Sequence, residues 1–244
     1  MSIKVENLTK VYGKQVAVNA INFDIPTGQV VGFLGPNGAG KSTTMKMITG
    51  YIPPTSGSGT VCGIDLVEES LEVRKIVGYL PENNPLYLDM YVKEYLEFIA
   101  GISGISGNKN IKLAVERAIE MTKLSPERHK KVGQLSKGYR QRVGLAQSLI
   151  HEPKVLILDE PTSGLDPIQV VEIRQVIKDL GKDKTVLLST HIMQEVEAMC
   201  DRVIMISKGE IVADDLVINL TKDGKSLEET FRKLANSESH VKHI

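Results

Sequence analysis

Gly35-Pro36-Asn37-Gly38-Ala39-Gly40-Lys41-Ser42 sets two glycines, with four residues between them, ahead of a lysine and a hydroxyl residue. That spacing suits a polyphosphate. Glycines let the backbone turn sharply, so successive N–H groups point into one concavity. Lys41 brings a compact cation to the outer phosphates. Ser42 offers Mg²⁺ a hard oxygen ligand. A helix expected to start near Ser42 aims the positive end of its dipole at the same anion. The chemistry implied is binding of a nucleoside triphosphate.

Asp159-Glu160 is a second chemical signal, because it closes the apolar run Val155–Leu158. Open α/β sheets gather their ligands at the carboxyl ends of strands. There Asp159 is placed to ligate Mg²⁺, directly or through water. Glu160 points elsewhere, since side chains alternate along a strand. It can orient or deprotonate an attacking water.

These groups need a frame. Val30–Leu34 reads as a buried strand entering the loop, and Thr43–Thr49 as the first turns of the helix leaving it. Ile3–Leu8 and Val16–Ile25 read as strands; Ile21, Phe23 and Ile25 alternate as in a half-buried antiparallel pair. Ile52–Gly59, rich in Pro, Gly and Ser, reads as a breaker, followed by short strands at Gly59–Cys62 and Ile76–Leu80. From about Val92 to Ile150 the spacing turns helical, with stripes at Val92, Leu96 and Ile99, at Val115, Ile119 and Leu124, and at Val143, Ala146 and Ile150. Gly101–Asn110 between them reads as loop. After Pro153 strands and helices alternate. Asp166-Pro167 starts a helix running to Gly181; Val186–Ser189 and Val203–Ile206 are strands flanking a helix with Ile192, Val196 and Met199. That order predicts a parallel sheet with right-handed crossovers. Ser226-Leu227-Glu228-Glu229 resembles a capping box, with Leu227, Phe231 and Leu234 as its apolar face, and Ser237–Ile244 is expected to fray.

Composition narrows the class. The 244 residues suffice for one large α/β domain or two small ones, and 41% hydrophobic with 25% charged residues fits a soluble globular protein. With 30 basic and 30 acidic residues, bulk charge gives no support to nucleic-acid binding. Cys62 and Cys200 lack metal-ligand spacing and read as two free thiols. No signal peptide is evident, and no apolar run approaches the roughly 20 residues of a membrane span. Any spans are expected from another chain.

Leu135-Ser136-Lys137-Gly138-Tyr139 before the acid pair, Ser163-Gly164-Leu165-Asp166 after it, Thr190-His191 at the next strand end and Tyr12 upstream complete an ordered set. Together with the loop and the acids, this set resembles the ATP-binding subunits of ABC (ATP-binding cassette) transporters over nearly all of residues 1–215. The resemblance implies an α/β P-loop NTPase fold. It has a mainly parallel core sheet, an N-terminal antiparallel β subdomain and a helical subdomain inserted at about residues 86–150. Residues 216–244 form a C-terminal helical extension and tail. It implies a Mg²⁺-dependent ATPase whose catalytic set is Glu160 as base, His191 as γ-phosphate switch and Lys41. Tyr12 stacks on adenine beside Ala17, and Gly35 through Thr44 (Gly35, Pro36, Asn37, Gly38, Ala39, Gly40, Lys41, Ser42, Thr43, Thr44) hold the phosphates. Ser42, Glu82 and Asp159 hold Mg²⁺. Leu135–Tyr139 serves the ATP of a second subunit, and Ser163–Asp166 communicates across the pair.

Three residues depart from the family pattern. Glu82 stands where Gln is usual, which adds a negative charge at the metal; Lys137 and Tyr139 stand where Gly and Gln are frequent. The Glu variant, the lack of fused spans and the late amphipathic segment resemble the ABC-2 exporter branch, and Tyr79–Tyr95 resembles the gliding-motility type of ATP-binding subunit. The implied assembly is two copies joined through two ATP molecules and a separately encoded membrane permease, on the cytoplasmic face of the membrane. A ribosome- or DNA-acting relative, a non-hydrolysing ATP clamp and a small-molecule kinase are the competing readings. The first usually carries two cassettes or long coiled-coil insertions, where this sequence shows one cassette and a modest insert; Lys41, Asp159, Glu160 and His191 argue against the second; and the third leaves Leu135–Tyr139 without a purpose.

Overall fold

The computed structural model describes residues 1–222 and 226–237. Strands β1 (Ile3–Tyr12), β2 (Gln15–Ile25), β4 (Ser56–Val61) and β5 (Ile64–Asp65) form an antiparallel sheet in the order β2-β1-β4-β5. Strands β3 (Val30–Leu34), β6 (Val77–Leu80), β7 (Val155–Asp159), β8 (Thr185–Thr190), β9 (Arg202–Ser207) and β10 (Glu210–Leu216) form a second sheet, ordered β10-β9-β3-β8-β7-β6. It is parallel from β9 to β6, and β10 pairs antiparallel with β9. Every residue of β3, β7 and β8 is buried. That is why these strands are runs of Val, Leu and Ile rather than alternating patterns.

Register decides where chemistry can happen. Leu34 pairs with Thr190, and Asp159 with Ser189. The chain therefore leaves β3, β7 and β8 at one sheet edge, and the phosphate loop, the acid pair and His191 emerge side by side.

Helices cover both faces. Phe33, Met45, Ile157, Leu187 and Ile204 pack with Ile3, Leu8 and Phe23 between the sheets. Leu34, Leu156, Leu158 and Leu188 pack under α6 (Pro167–Gly181) and α7 (Met193–Met199). As predicted, α6 starts at an Asp166 cap, whose Oδ1 accepts from Gln169 N at 2.9 Å, with Pro167 in its first turn. Helices α3 (Val92–Ile102), α4 (Asn108–Met121) and α5 (Lys137–Leu149) bury the three expected stripes in a separate core.

Three readings change. Ser56–Gly59 joins β4 instead of breaking, because Thr9↔Ser56 and Glu6↔Ser58 pairing with β1 satisfies its backbone. The Gly101–Asn110 loop shrinks to 103–107, since α3 runs through Ile102 and α4 starts after Gly107. Helix α2 (Ser70–Ile76) was not expected; its seven residues bury only Val73, so no stripe marks it. After α8 (Val217–Leu220), α9 (Leu227–Ser237) starts where the capping box predicts, with Ser226 Oγ accepting from Glu229 N at 3.2 Å. Leu227 is buried against the α6–α7 core and Phe231 packs beside it. The contribution expected of the Leu234 side chain and the fraying expected beyond α9 lie outside the described residues.

Candidate functional site

The phosphate loop is set by close backbone approaches. Gly40 has φ 108° and caps α1 (Lys41–Ile48); a Cβ there would lie 2.6 Å from the Ala17 carbonyl oxygen. A Cβ on Gly35 would lie 2.3 Å from the Ile206 carbonyl oxygen. No side chain caps α1 and no acid sits in its first turn. Its N-terminus therefore keeps N–H groups and dipole for an anion.

Lys41 is only 6% exposed. Its ammonium donates to the carbonyls of Gly35 (2.8 Å) and Pro36 (3.3 Å) and lies 3.3 Å from Glu160 Oε1. The three contacts match its three donors and hold the cation along the loop. Asp159 is 2% exposed, and its Oδ1 accepts from Ser42 Oγ (3.1 Å) and Ser189 Oγ (2.6 Å). Glu160 follows with φ 49°, a left-handed backbone that costs about 1–3 kcal/mol in a non-glycine residue. Bonds from Glu160 N to Ser189 Oγ (3.0 Å) and Ser189 O (3.2 Å) fix that turn. Its other carboxylate oxygen lies 3.0 Å from His191 Nδ1. Burial pushes the Tyr79 hydroxyl well above the usual tyrosine range, and the negative charge of Asp159 adds to the rise, so it stays neutral beside the acids.

A cavity of about 460 Å³ opens here. Tyr12, Ala17, Asn37, Gly38, Gly40, Lys41, Ser42, Thr43, Glu82, Glu160, Ser163 and His191 line it. Tyr12 is 48% exposed, with Lys10 Nζ 5.3 Å from its ring centre. The remaining expected loop residues lie off the wall. Gly35 and Pro36 give their carbonyls to Lys41, Ala39 is buried, and Thr44 turns inward with its hydroxyl donating to Gly40 O at 3.0 Å. Sequence reasoning passed over Gln15, on the wall, and Ser189, which holds both acids. A hydroxyl residue ending a strand beside an acid pair was the available signal.

Ser42, Asp159 and Glu82 are a hard-oxygen donor set, and two of them already touch. Among the described residues no cluster of three or more His, Cys, Asp or Glu could hold a metal alone. Mg²⁺ fits such a site, because it keeps several waters and takes one or two carboxylates plus substrate phosphates.

The other predicted corner stands apart. Ser136 caps α5, its Oγ accepting from Tyr139 N at 3.4 Å. Gly138 is buried, and a Cβ there would lie 2.6 Å from Gln169, so α5–α6 packing supplies its own reason for a glycine. Lys137 reaches the Ser163–Asp166 loop: a Cβ on Gly164 would lie 2.0 Å from its Nζ. Tyr139 stacks 5.1 Å below the Arg142 guanidinium, which pairs with Glu172 of α6. Leu135 is buried. Among the described residues, none of Leu135–Tyr139 lines the Lys41 cavity.

Residues 18–163 match the ABC transporter family. The bacitracin transport ATP-binding protein BcrA of Bacillus licheniformis is 40% identical over 214 residues, covering 87% of this chain and 69% of that protein. The linearmycin resistance ATP-binding protein LnrL of Bacillus subtilis is 34% identical over 255 residues, covering 99% and 81%. A solved dimeric ATP-binding cassette, in a post-hydrolysis state bound to ADP and Pi, superposes with TM-score 0.80 at 27% identity, covering 88% of this chain and 98% of that one. A family match running from within β2, through the phosphate loop, to Ser163 just past the acid pair, with relatives aligned along most of their length, makes this chain a member of the ABC transporter family.

Proposed function

We propose that this chain binds and hydrolyses ATP to power a membrane transporter, and that it works by ATP-driven pairing of two nucleotide-binding chains. One observation carries the reading: Lys41, Glu160 and His191 converge on one cavity, with the Glu160 carboxylate touching both other groups. In this reading Tyr12 stacks on adenine beside Ala17, and the loop amides and Lys41 hold the phosphates. Glu160 accepts the proton of the attacking water, and His191 contacts the γ-phosphate. Ser42, Asp159 and Glu82 would hold Mg²⁺, which when bound neutralises phosphate charge. The protein's own contribution is positioning and fixed charge.

The second chain enters through geometry. Ser136 sits exposed at the α5 N-terminus, with Gly138 buried behind it against Gln169, and neither lines the cavity of its own chain, so this corner is left to meet the γ-phosphate held by a partner. The dimeric ADP-bound relative supports that arrangement. Ser163–Asp166 joins the two corners, since Ser163 lines the cavity and Gly164 meets Lys137.

The functional unit in this reading is residues 1–215 with the helical insert at about 86–150, and 216–244 is its extension, in which Leu227 and Phe231 pack against the α6–α7 core. Among the described residues no helix is long and apolar enough to cross a membrane. A separate transmembrane permease, met by this chain at the membrane's cytoplasmic face, is the partner in this reading. Glu82–Tyr95 is its contact, supported by the exposed Tyr87, Leu88, Tyr91 and Phe98. The ABC-2 exporter branch is the finer assignment, in keeping with the antibiotic-transport and resistance names of the two relatives. Its narrower gliding-motility form rests on Tyr79–Tyr95 alone.

Glu160→Gln tests the core of the proposal. With ATP the variant is expected to elute as a dimer and release almost no phosphate. Steady hydrolysis at the parent rate rejects the assignment. Co-purification with a membrane protein from detergent extracts tests the permease.

A further inference from the structure

Glu195 lies on α7 and is 1% exposed, yet no role has been assigned to it. Its carboxylate is completed by three other elements. Thr162 Oγ1 donates to Oε1, Thr190 Oγ1 donates to Oε2 at 2.7 Å, and the Arg174 guanidinium of α6 lies 3.8 Å from Oε1. Ile192 N donates to Thr190 Oγ1 at 3.1 Å, which turns that hydroxyl's own hydrogen toward Glu195. Both threonines are themselves buried.

The placement of those threonines gives the cluster its meaning. Thr162 comes two residues after Glu160 and one before Ser163; Thr190 immediately precedes His191. One buried carboxylate thus grips the roots of both loops that meet at the cavity, from the helix that follows the second loop. A desolvated carboxylate is costly unless its oxygens are hydrogen-bonded. Glu195 is satisfied only with both hydroxyls in reach, so displacing one loop without the other strands a buried charge. Gln141 of α5 adds a second grip on the first loop, donating to Pro161 O at 2.8 Å.

We infer that Glu195 is a positioning residue, holding Glu160 and His191 in fixed register so that their loops move as one body. The inference rests on the reading of Glu160 and His191 as hydrolytic groups. Glu195 does not line the cavity; it acts through Thr162 and Thr190.

The test is steady-state ATP hydrolysis by the purified chain, with fluorescent-nucleotide titration and thermal melting on each variant. Glu195→Gln keeps the shape but offers one acceptor oxygen instead of two. It is expected to lower kcat roughly tenfold to a hundredfold, the scale of small misplacements at a reacting centre. KM for ATP and nucleotide affinity should stay within about twofold of the parent on the same argument. Thr162→Val should lose kcat in the same way, and Thr162→Ser, which keeps the hydroxyl, should recover it. The Glu195→Gln/Thr162→Val double variant should be no slower than the worse single one. Parent-like kcat in folded Glu195→Gln overturns the inference. So do equal losses in Thr162→Val and Thr162→Ser that follow the fall in melting temperature; this pair decides the matter if Glu195→Gln does not fold. Glu160→Gln run alongside separates the two levels. If it hydrolyses at the parent rate, the underlying reading fails; if it is inert while Glu195→Gln is parent-like, only the role given to Glu195 fails.

Discussion

At the phosphate loop three charged side chains are answered within the chain: Lys41 by two carbonyls and Glu160, Asp159 by two hydroxyls, Glu160 by Lys41 and His191. At Leu135–Tyr139 the arrangement is looser. Ser136 gives its oxygen only to its own helix through a 3.4 Å bond, and Lys137 lies exposed against the Gly164 loop. The first region is a charge array fixed in advance, which is how a site stabilises a transition state without reorganising. The second is a presented surface, with the donors and dipole of a helix start turned outward. In the proposed reading one chain therefore carries a finished half and an offered half, and two chains complete the site.

That contrast can be broken in order of expected effect. Glu160→Gln removes the proton acceptor and should lower kcat by about 10²–10⁴-fold with nucleotide binding retained; phosphate release and a binding titration read the two separately. Lys41→Ala deletes the cation of the finished half and leaves Glu160 buried without it. Nucleotide affinity should fall by about 1.5–3 kcal/mol, and an unchanged titration with a fluorescent ATP analogue would count against the site. Tyr12→Ala should cost about 1–3 kcal/mol of binding from lost base stacking, equally for ATP and ADP, as calorimetry can show. Ser136→Ala belongs to the offered half. It should leave titration of the single chain unchanged, weaken ATP-dependent dimerisation, and lower stability by about 1 kcal/mol through loss of a helix cap; altered affinity in dilute monomer would erase the distinction. Glu82→Gln should change turnover least, through its Mg²⁺ dependence, and superimposable metal titrations would show the extra charge to be silent.

What could be read from the residues was whatever local pattern encodes. Asp166-Pro167 named its helix start, Val155–Leu158 its buried strand, and Gly35–Ser42 its loop. All depend on neighbours in sequence. What escaped depends on distant partners. Ser56–Gly59 is strand only because β1 lies beside it, and α2 buries too little to leave a stripe. Glu195 could not be distinguished from an acid on a helix surface, because its burial requires Thr162 to arrive from the loop after β7 as well as Thr190 from the end of β8. The site residues themselves were legible as types in order; their contacts follow from the pairing of β7 with β8, which no short motif contains.

The half-exposed ring of Tyr12 at the cavity mouth has an optical consequence. The chain contains no tryptophan, so Tyr12→Trp would introduce a single indole fluorophore beside Ala17, excited at wavelengths where the native tyrosines absorb little. Its emission would track purine occupancy in real time without a label, turning the adenine contact into a stopped-flow signal for each nucleotide's arrival and departure.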